Sequence, residues 1–359
     1  MGLESDGGGG TTAATGLRGR ARLIDVAERS GVTKSVVSRI INGDDTLRIR
    51  PETRERVLGV AAELGYRPHA GARALSVSRT GAFALIIPDL RNSVYAAITR
   101  GAFRRAREHG YVMLFAEDTP SDPAGADEYA DLVTSGRVDG LLVASARPGD
   151  PLVERLQQEP DSIAHVFVNR EVDGSARNIG LDLEGATALA VQFLRDRGHR
   201  RIGHTSGPIE LAPARAHTAG FARQMSDFGL DASATESGEF TERGGYEATL
   251  RLLEHRPELT AVYVSNFGQA VGALKAARDR GRSVPGDLSV IGYDDLAVAD
   301  YLDPPLTTVA MPLDALGAAA VDALVEQIET RKPVGRRIDG GYHIVERASV
   351  ARARASADA

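Results

Sequence analysis

The sequence predicts a multidomain chain in which a small all-α head precedes a much larger α/β body with parallel sheets. Three observations lead to this prediction: a length of 359 residues, basic side chains concentrated in residues 17–79, and aliphatic runs that alternate with amphipathic stretches after Ala82. A single hydrophobic core stops growing near about 250 to 300 residues, so a chain of this length is expected to divide into domains.

The composition is that of a globular protein and excludes several functional classes. No apolar run approaches the roughly 18 to 20 residues of a membrane span. Residues 1–16 contain no Lys or Arg and no apolar stretch, so they do not form a secretory signal. We therefore expect a cytoplasmic protein with no membrane contact and with residues 1–20 as a disordered leader. The absence of cysteine excludes disulfides, a thiolate zinc site and a cysteine nucleophile.

Positive charge is concentrated at one end of the chain. Residues 17–79 contain 13 Lys and Arg against 7 Asp and Glu, a net charge of +6, whereas the whole chain carries −6. Residues 1–16 carry −2, which leaves −10 on residues 80–359. A basic segment attached to an acidic body is typical of a nucleic-acid-binding head, because neutralised phosphates release counterions. A basic face that is only solvated is the alternative.

Within the basic segment the pattern predicts two short helices joined by a tight turn. Gly31 provides the permissive backbone of the turn, and Thr33 is a suitable N-cap for the second helix. The apolar side of that helix consists of Val37, Ile40 and Ile41. Its outward side is polar and cationic and consists of Lys34, Ser35, Ser38 and Arg39. A helix-turn-helix needs this arrangement, because its second helix must offer donors to base edges and phosphates.

A third helix completes the head. Pro51 begins it, apolar residues recur at helical spacing up to Leu64, and Gly65 ends it. We therefore predict a three-helix DNA-binding domain over residues 21–67. Residues 68–80 follow as a short helical run with little apolar surface, which is expected to order only against a dimer mate and DNA. A plain interdomain linker is the alternative for this run.

The body alternates aliphatic runs, which indicate buried strands, with helical patterns. The strand runs are 82–88, 111–115, 140–143, 163–168, 201–205, 260–264 and 288–291. The helical patterns include 94–109, 184–197, 214–228 and 270–280. Repeated strand-helix-strand units predict parallel sheets with helices on both faces, arranged either as one doubly wound sheet or as two similar lobes.

These features resemble the LacI/GalR family of transcriptional repressors over almost the whole chain. The blocks that carry the resemblance are Asp25-Val26-Ala27, Gly31-Val32-Thr33, Val37-Ser38-Arg39, Thr53-Arg54-Glu55-Arg56-Val57, Leu64-Gly65-Tyr66-Arg67-Pro68, Gly198-His199-Arg200-Arg201-Ile202, Gly292-Tyr293-Asp294-Asp295 and Pro304-Pro305-Leu306-Thr307-Thr308-Val309. The resemblance implies an all-α helix-turn-helix head and, over residues 81–350, an α/β sensor with two lobes of the type I periplasmic-binding-protein kind. It implies crossovers between the lobes near Asp182, Thr308 and Arg336 and leaves residues 351–359 as a flexible tail.

The resemblance also implies which residues of the head contact DNA. Lys34 and Ser35 correspond to residues that read bases in the major groove, and Arg39 corresponds to one that contacts a base or a phosphate. Thr33 and Asn42 correspond to residues that hold the DNA backbone. Ser38 lies on the same outward side of the second helix as Lys34 and Ser35 and is the last of the DNA-contacting candidates in the head.

Residues 68–80 correspond to the hinge helix and linker of this family. Ala72 and Leu75 would contact DNA there, and Leu75 occupies the position at which the family wedges a leucine into the minor groove and kinks the duplex. His69 and Gly71 depart from the family pattern, in which Asn and a better helix former are common. The hinge of this chain is therefore expected to fold less readily.

Ligands of parallel sheets bind at the carboxyl ends of the strands, which places an effector in the cleft between the lobes. The candidate effector-binding residues after strands are Asp89, Asn92, Tyr95, Asn169, Arg170 and Asp294. Polar groups of fixed geometry with an aromatic face suit a sugar or a related metabolite. The alternative for each residue is that its side chain caps a helix or forms hydrogen bonds with the backbone of its own loop.

Two further candidate pairs depart from the family pattern. Arg215-Ala216-His217 stands where the family often has Arg-x-Arg, so His217 replaces an arginine that holds the effector. Asn266-Phe267 stands where Asn-Asp is usual. A neutral His cannot offer the planar fork of an Arg, so either the effector is not a typical monosaccharide or its polar contacts have moved.

Two other functions compete with this interpretation. An enzyme is disfavoured because the chain has no dinucleotide or phosphate-binding motif and its histidines lack metal-ligand spacing, so we expect no catalytic residue, cofactor or metal. Gly203-His204-Thr205-Ser206-Gly207 resembles a nucleophile elbow, but a loop that ends a strand is the favoured interpretation. A solute-binding protein for transport would need a signal peptide and no basic head.

The resemblance finally implies the partners of the chain. A homodimer would bind a pseudo-palindromic double-stranded DNA operator, with each head on one half-site. A small-molecule effector would change the affinity for the operator through a coupling free energy between the two sites. Residues 348–359 lack the heptad leucines of a tetramerising coiled coil, so a dimer is expected.

Overall fold

The computed structural model describes residues 21–66, 79–118 and 123–354, and the chain divides into two compact units between Thr80 and Gly81. In the described part of the chain, no helix is long and apolar enough to cross a membrane.

The first unit has the three helices that the sequence predicts. They are α1 (Leu23–Ser30), α2 (Lys34–Ile41) and α3 (Pro51–Glu63). Gly31 adopts a left-handed φ of 67° in the turn between α1 and α2 and caps α1. The side chain of Thr33 accepts a hydrogen bond from the Val36 amide and caps α2. The small core consists of Val26, Ala27, Val37, Ile40, Val57 and Ala61.

The second unit is built from strands and helices in alternation. Its strands are β1 (Ala82–Ile87), β2 (Val112–Glu117), β3 (Gly140–Val143), β4 (His165–Val168), β5 (Asn178–Leu181), β6 (Ile202–Ser206), β7 (Thr235–Ser237), β8 (Ala261–Val264), β9 (Ser289–Tyr293), β10 (Thr307–Ala310), β11 (Arg336–Ile338) and β12 (His343–Val345). Its helices are α4 (Val94–Glu108), α5 (Pro123–Thr134), α6 (Pro151–Gln158), α7 (Leu183–Asp196), α8 (Ala212–Asp227), α9 (Glu242–His255), α10 (Phe267–Asp279) and α11 (Leu313–Thr330), with a 3-10 helix at Ala297–Tyr301.

The strands form two six-stranded sheets, one in each lobe. The order in lobe 1 is β11-β5-β4-β3-β1-β2, and the order in lobe 2 is β12-β10-β9-β8-β6-β7. All neighbours run parallel except β12, which is antiparallel to β10. The strands β3, β4, β6, β8 and β9 are buried at every residue. Burial on both faces explains why β3 and β8 are continuous apolar runs in the sequence, whereas β6 buries the polar side chains of His204, Thr205 and Ser206.

Close packing of α11 on α4 completes lobe 1. A Cβ at Gly101 would lie 2.0 Å from the carbonyl oxygen of Asp314, and a Cβ at Gly317 would lie 2.0 Å from that of Ile98. Only glycine allows the two backbones to approach this closely. Helix α11 therefore belongs to lobe 1 although it follows β10 of lobe 2 in the chain.

The chain crosses between the lobes three times, at residue 182, at residues 311–312 and at residues 339–342. The first crossing lies where the sequence predicts it. The other two lie beyond the predicted Thr308 and Arg336, because Thr308 is inside β10 and Arg336 begins β11. Asp182 joins the first and third crossings, since its carboxylate accepts hydrogen bonds from Arg337 Nη2 at 2.5 Å and from the Tyr342 hydroxyl at 3.1 Å.

The segment after β12 is tied to lobe 2 as far as Arg354. The Ala351 amide donates to Ser289 Oγ at 3.1 Å, and the Ala353 amide donates to the carbonyl oxygen of Arg197 at 2.9 Å. These bonds correct the expectation of a flexible tail that begins at residue 351. Residues 1–20, 67–78 and 355–359 lie outside the described residues, so the expected leader, most of the hinge with Ala72 and Leu75, and the end of the tail stay predictions.

Candidate nucleic-acid interface and ligand cleft

Helix α2 presents the polar face that the sequence predicts. Lys34 and Ser35 are exposed in its first turn, and Ser38 is half-buried one turn later. Val37 and Ile40 face the opposite way into the core of the head. The amino-terminal end of α2 is therefore accessible, and its cation and hydroxyls can contact a polyanion.

Arg39 and Asn42 both have partners within the head. Arg39 Nε donates to Asp44 Oδ2 at 2.6 Å, and Arg39 Nη2 donates to Thr46 Oγ1 at 3.0 Å. Hydrogen bonds from Thr46 and Arg39 lower the pKa of Asp44 to about 2. Asn42 Nδ2 lies 3.4 Å from Ser38 Oγ. The structure thus gives Arg39 a role in shaping the loop after α2, which sequence patterns did not indicate.

A narrow cleft with a free volume of about 50 Å³ lies between the two lobes of the second unit, where strands of both sheets end. Its lining consists of Asn92, Val94, Tyr95, Asn169, Arg170, Leu181, Leu183, Pro213, His217, Phe240, Ser265, Asn266, Tyr293, Asp294 and Leu313.

The cleft brings together most of the residues that the sequence singles out. The candidates among its lining residues are Asn92, Tyr95, Asn169, Arg170, His217, Asn266 and Asp294. Asn92 Oδ1 also accepts from the Val94 amide at 3.2 Å, and Asn266 Oδ1 caps α10 by accepting from the Gly268 amide at 3.0 Å. Both side chains therefore use their amide oxygens to bond the local backbone, as the alternative interpretation of the sequence expects. Their amide NH₂ groups are left for a ligand.

Three candidates lie elsewhere. Arg215 Nη1 donates to the carbonyl oxygen of Glu210, and Arg215 lines a separate depression. Residues two apart on a helix point in nearly opposite directions, so Arg215 and His217 of α8 cannot both face the cleft. Asp89 binds Arg91 through both carboxylate oxygens, and Phe267 packs into the core of lobe 2. Asp89 and Phe267 border a wider opening beside the cleft.

Asp294 is the most unusual polar group in the cleft. It is 4% exposed, and burial raises the pKa of its carboxyl to about 7. Among the described residues, none donates a hydrogen bond to this carboxyl. Asp294 has a φ of 69° after β9, and Asn169 has a φ of 66° after β4, so each lobe offers one polar residue in a left-handed turn. Residues other than glycine rarely adopt this conformation, and such residues are concentrated at binding sites.

His217 is held by a buried hydrogen-bond network. Its Nδ1 lies 2.9 Å from Thr187 Oγ1 and 2.9 Å from the Tyr263 hydroxyl. Burial lowers the pKa of His217 to about 3, so the ring is neutral near pH 7. Tyr293 also lines the cleft, and its buried hydroxyl has no hydrogen-bond partner in the described part of the chain. A buried hydroxyl of this kind needs a partner, which a bound ligand can provide.

Sequence reasoning missed several lining residues, of which Phe240 is the clearest example. Phe240 lies in the loop before α9, and its ring fills the place of a side chain on Gly207: a Cβ there would lie 2.1 Å from Phe240 Cζ. No pattern near Phe240 predicts this contact, because it joins two loops. The sequence indicates Tyr293 more clearly, since it directly precedes Asp294 in the block Gly292-Tyr293-Asp294-Asp295 that carries the family resemblance.

The described residues that line the cleft offer a ligand mainly hydrogen-bonding groups. Arg170 Nη1 donates to the carbonyl oxygen of Ser145 at 3.3 Å, which fixes the one guanidinium among the lining residues. Thr205, the residue at the centre of the elbow-like block, is completely buried in β6 and bonds to Thr249 Oγ1 at 3.0 Å. It is therefore not an exposed nucleophile. Amides, phenols and a buried carboxyl are groups that bind hydroxyls.

The chain matches known proteins over both units. Residues 22–69 match the family model of bacterial regulatory proteins of the lacI family, and residues 191–350 match that of periplasmic binding protein-like domains. The ribose operon repressor of Escherichia coli K12 is 33% identical over 310 residues, which are 86% of this chain and 93% of the repressor.

Two solved structures have the same architecture. The complex of the transcriptional regulator CelR with cellobiose has a TM-score of 0.69 and 28% identity and covers 92% of this chain and 100% of CelR. The lac repressor dimer bound to its operator and the anti-inducer ONPF has a TM-score of 0.81 and 25% identity and covers 92% of this chain and 99% of the repressor.

Proposed function

This chain belongs to the LacI family of bacterial regulatory proteins, and from that premise we propose which of its residues bind operator DNA and which bind the effector. The chain is a DNA-binding transcriptional repressor that a small-molecule effector controls, and it is not an enzyme. Its partners are an operator duplex, an effector and a second copy of itself. We place it in the cytoplasm, where bacterial DNA is accessible.

We propose that the exposed face of α2 enters the major groove. Lys34 and Ser35 then contact base edges, and Ser38 faces the same groove. Thr33 caps α2 and contacts the DNA backbone together with Asn42. Arg39 orients the loop through Asp44 and offers its Nη1 group, which has no hydrogen bond within the described residues, to a phosphate. Ala72 and Leu75 are proposed to contact the minor groove.

We propose a neutral polyhydroxylated effector, of which a sugar is the leading example. The observation that carries this proposal is Asp294, a buried carboxyl to which none of the described residues donates a hydrogen bond, in a cleft that Asn169, Arg170 and His217 also line. A charged acceptor in a buried site binds hydroxyl donors strongly. Two similar proteins are named for such compounds, the ribose operon repressor and the CelR–cellobiose complex.

A thermal-shift panel tests this proposal. It should contain D-ribose, D-glucose, cellobiose and adenosine, together with inorganic phosphate and benzoate as anionic controls. A ligand present at about 100 times its Kd stabilises the folded state by about 2.7 kcal/mol, which corresponds to a Tm increase of about 5 °C for a domain of this size. We expect a hydroxyl-rich compound to give this shift. A response to the controls alone would contradict the proposal.

The homodimer is proposed to form at least in part through the edge of lobe 1. Strand β2 is the outer strand of its sheet, and it exposes Val112 (64%), Leu114 (44%) and Phe115 (40%). Phe103 of α4 is also 40% exposed. An apolar edge strand of this kind invites pairing or packing with another chain. A second copy is the occupant that the dimeric lac repressor structure supports.

Leu114→Glu is expected to convert the dimer into a monomer, because an isologous interface that contains β2 would bury an unpaired carboxylate from each copy. Sedimentation velocity at micromolar concentration measures the change. Leu58→Glu is the matched control, since Leu58 is 47% exposed but lies in α3 of the head. A Leu114→Glu protein that stays dimeric would show that β2 is not part of the dimer interface.

A further inference from the structure

The turn after β9 contains two neighbouring carboxylates that face different environments. Asp294 faces the cleft, whereas Asp295 faces away from it towards Arg347. The left-handed φ of Asp294 costs free energy and persists only where the surroundings enforce it. The backbone supplies one constraint, a hydrogen bond from the Asp294 amide to the carbonyl oxygen of Val309 at 3.0 Å.

Side chains supply the other constraint, through a cluster that we name the Asp295 clamp: Asp295, Thr308 and Arg347. Asp295 Oδ1 accepts from Thr308 Oγ1 at 2.6 Å and from Arg347 Nη1 at 2.7 Å. Arg347 Nη1 also lies 3.0 Å from the carbonyl oxygen of Leu306 and 3.1 Å from Thr308 Oγ1. The Arg347 side chain is 10% exposed and that of Asp295 is 28% exposed, so solvent screens this ion pair only in part.

We propose that Asp295 is a positioning residue, which through Thr308 and Arg347 holds the turn in its left-handed form and keeps the Asp294 carboxyl directed into the cleft. The clamp is not assigned by the family pattern of effector contacts, because none of its three residues lines the cleft. The role of the clamp in binding rests on the proposed function, whereas its role in the turn does not.

A purely structural function for Arg347 is the competing explanation. Arg347 Nε also donates to Asp300 Oδ1 at 2.5 Å, and Asp300 is 61% exposed on the 3-10 helix. Asp300 therefore shares the same arginine without touching the turn. Removing the charge of Asp300 disturbs Arg347 as well, but it leaves the bonds to Asp295 in place.

Amide hydrogen exchange on the full chain without effector separates the two explanations. In Asp295→Asn, we expect the Asp294 amide to exchange at least about tenfold faster, while peptides from β8 exchange as in the wild type. In Asp300→Asn, the Asp294 amide should exchange at the wild-type rate. Arg347→Lys keeps the charge but loses the planar fork, so it should resemble Asp295→Asn.

Two results would overturn the proposal: an unchanged Asp294 amide in Asp295→Asn, or faster exchange throughout lobe 2 in both Asp variants. D-ribose serves as the binding probe in a second experiment, where Asp295→Asn should lower its affinity about tenfold and Asp300→Asn by less than twofold. If D-ribose leaves the wild-type Tm unchanged, D-ribose itself is excluded as the effector, while the exchange result still decides the clamp.

Discussion

Asp294→Asn is expected to abolish the thermal shift that the effector produces and to raise the Tm of the free protein above pH 7. Asp294 is 4% exposed, and its carboxyl receives no hydrogen bond from the described residues, so the ionised form is costly until a ligand donates to it. Hydrogen bonds to a charged group contribute about 1.5 to 3 kcal/mol. Asn keeps the size of the side chain but offers the effector one neutral acceptor in place of two charged ones.

The pH dependence of this variant follows from the raised pKa. A carboxyl in the unfolded chain has a pKa of about 3.9, whereas burial raises the pKa of Asp294 to about 7 in the folded chain. Between these values the folded protein binds more protons, so its stability decreases as the pH rises from about 4 to about 7 and then levels off. Asp294→Asn lacks this dependence. Its advantage over the wild type should therefore grow over the same interval and be on the order of 4 kcal/mol at pH 8.

Urea denaturation at pH 5 and pH 8 measures this difference, and the compound from the thermal-shift panel measures effector binding. Asp300→Asn is the control, because Asp300 is 61% exposed and outside the cleft. An Asp294→Asn protein with a full thermal shift would show that Asp294 does not bind the effector. An advantage that is equal at both pH values would show that the carboxyl does not titrate near pH 7.

Lys34→Ala is expected to weaken operator binding by roughly 30-fold or more without changing the fold. Lys34 is exposed at the first residue of α2, and no hydrogen bond within the described residues engages its amine. A lost base contact costs about 1 to 3 kcal/mol. A symmetric dimer makes each contact twice, so the total cost is about 2 to 6 kcal/mol.

Fluorescence anisotropy at physiological salt, with operator and scrambled duplexes, checks this expectation. Lys275→Ala is the charge-matched control, because Lys275 lies on α10 of lobe 2 and pairs with Asp279 at 2.7 Å. A loss that is equal on both duplexes would identify Lys34 as a phosphate contact. Unchanged affinity for the operator would show that Lys34 does not contact the DNA.

The sequence was most informative where local patterns and burial agree. Aliphatic runs such as 82–88 and 260–264 are buried on both faces as strands, and the turn at Gly31 follows from backbone freedom alone. The short strands β7, β11 and β12 were not predicted, because each is three residues long and contains polar side chains. Their positions depend on long-range pairing, which no local pattern records.

The cleft was predicted less completely for a related reason. Asp294 and Asn169 directly follow strands, so the topology alone places them at the cleft. Arg215 was carried over from a family pattern although its helical phase differs from that of His217. Phe240 was missed because its contact with Gly207 joins distant loops. The partners of Arg39 and Asp295 are also side chains that only the folded chain brings close.

Selection of bound sequences from a pool of random duplexes, followed by titration at physiological salt, tests operator recognition most directly. The full-length dimer should enrich an inverted repeat whose half-sites are about one helical turn apart. It should bind that duplex at least about 10³ times more tightly than a scrambled one. A pool that does not converge, with equal affinity for selected and scrambled duplexes, would contradict sequence-specific DNA binding by this chain.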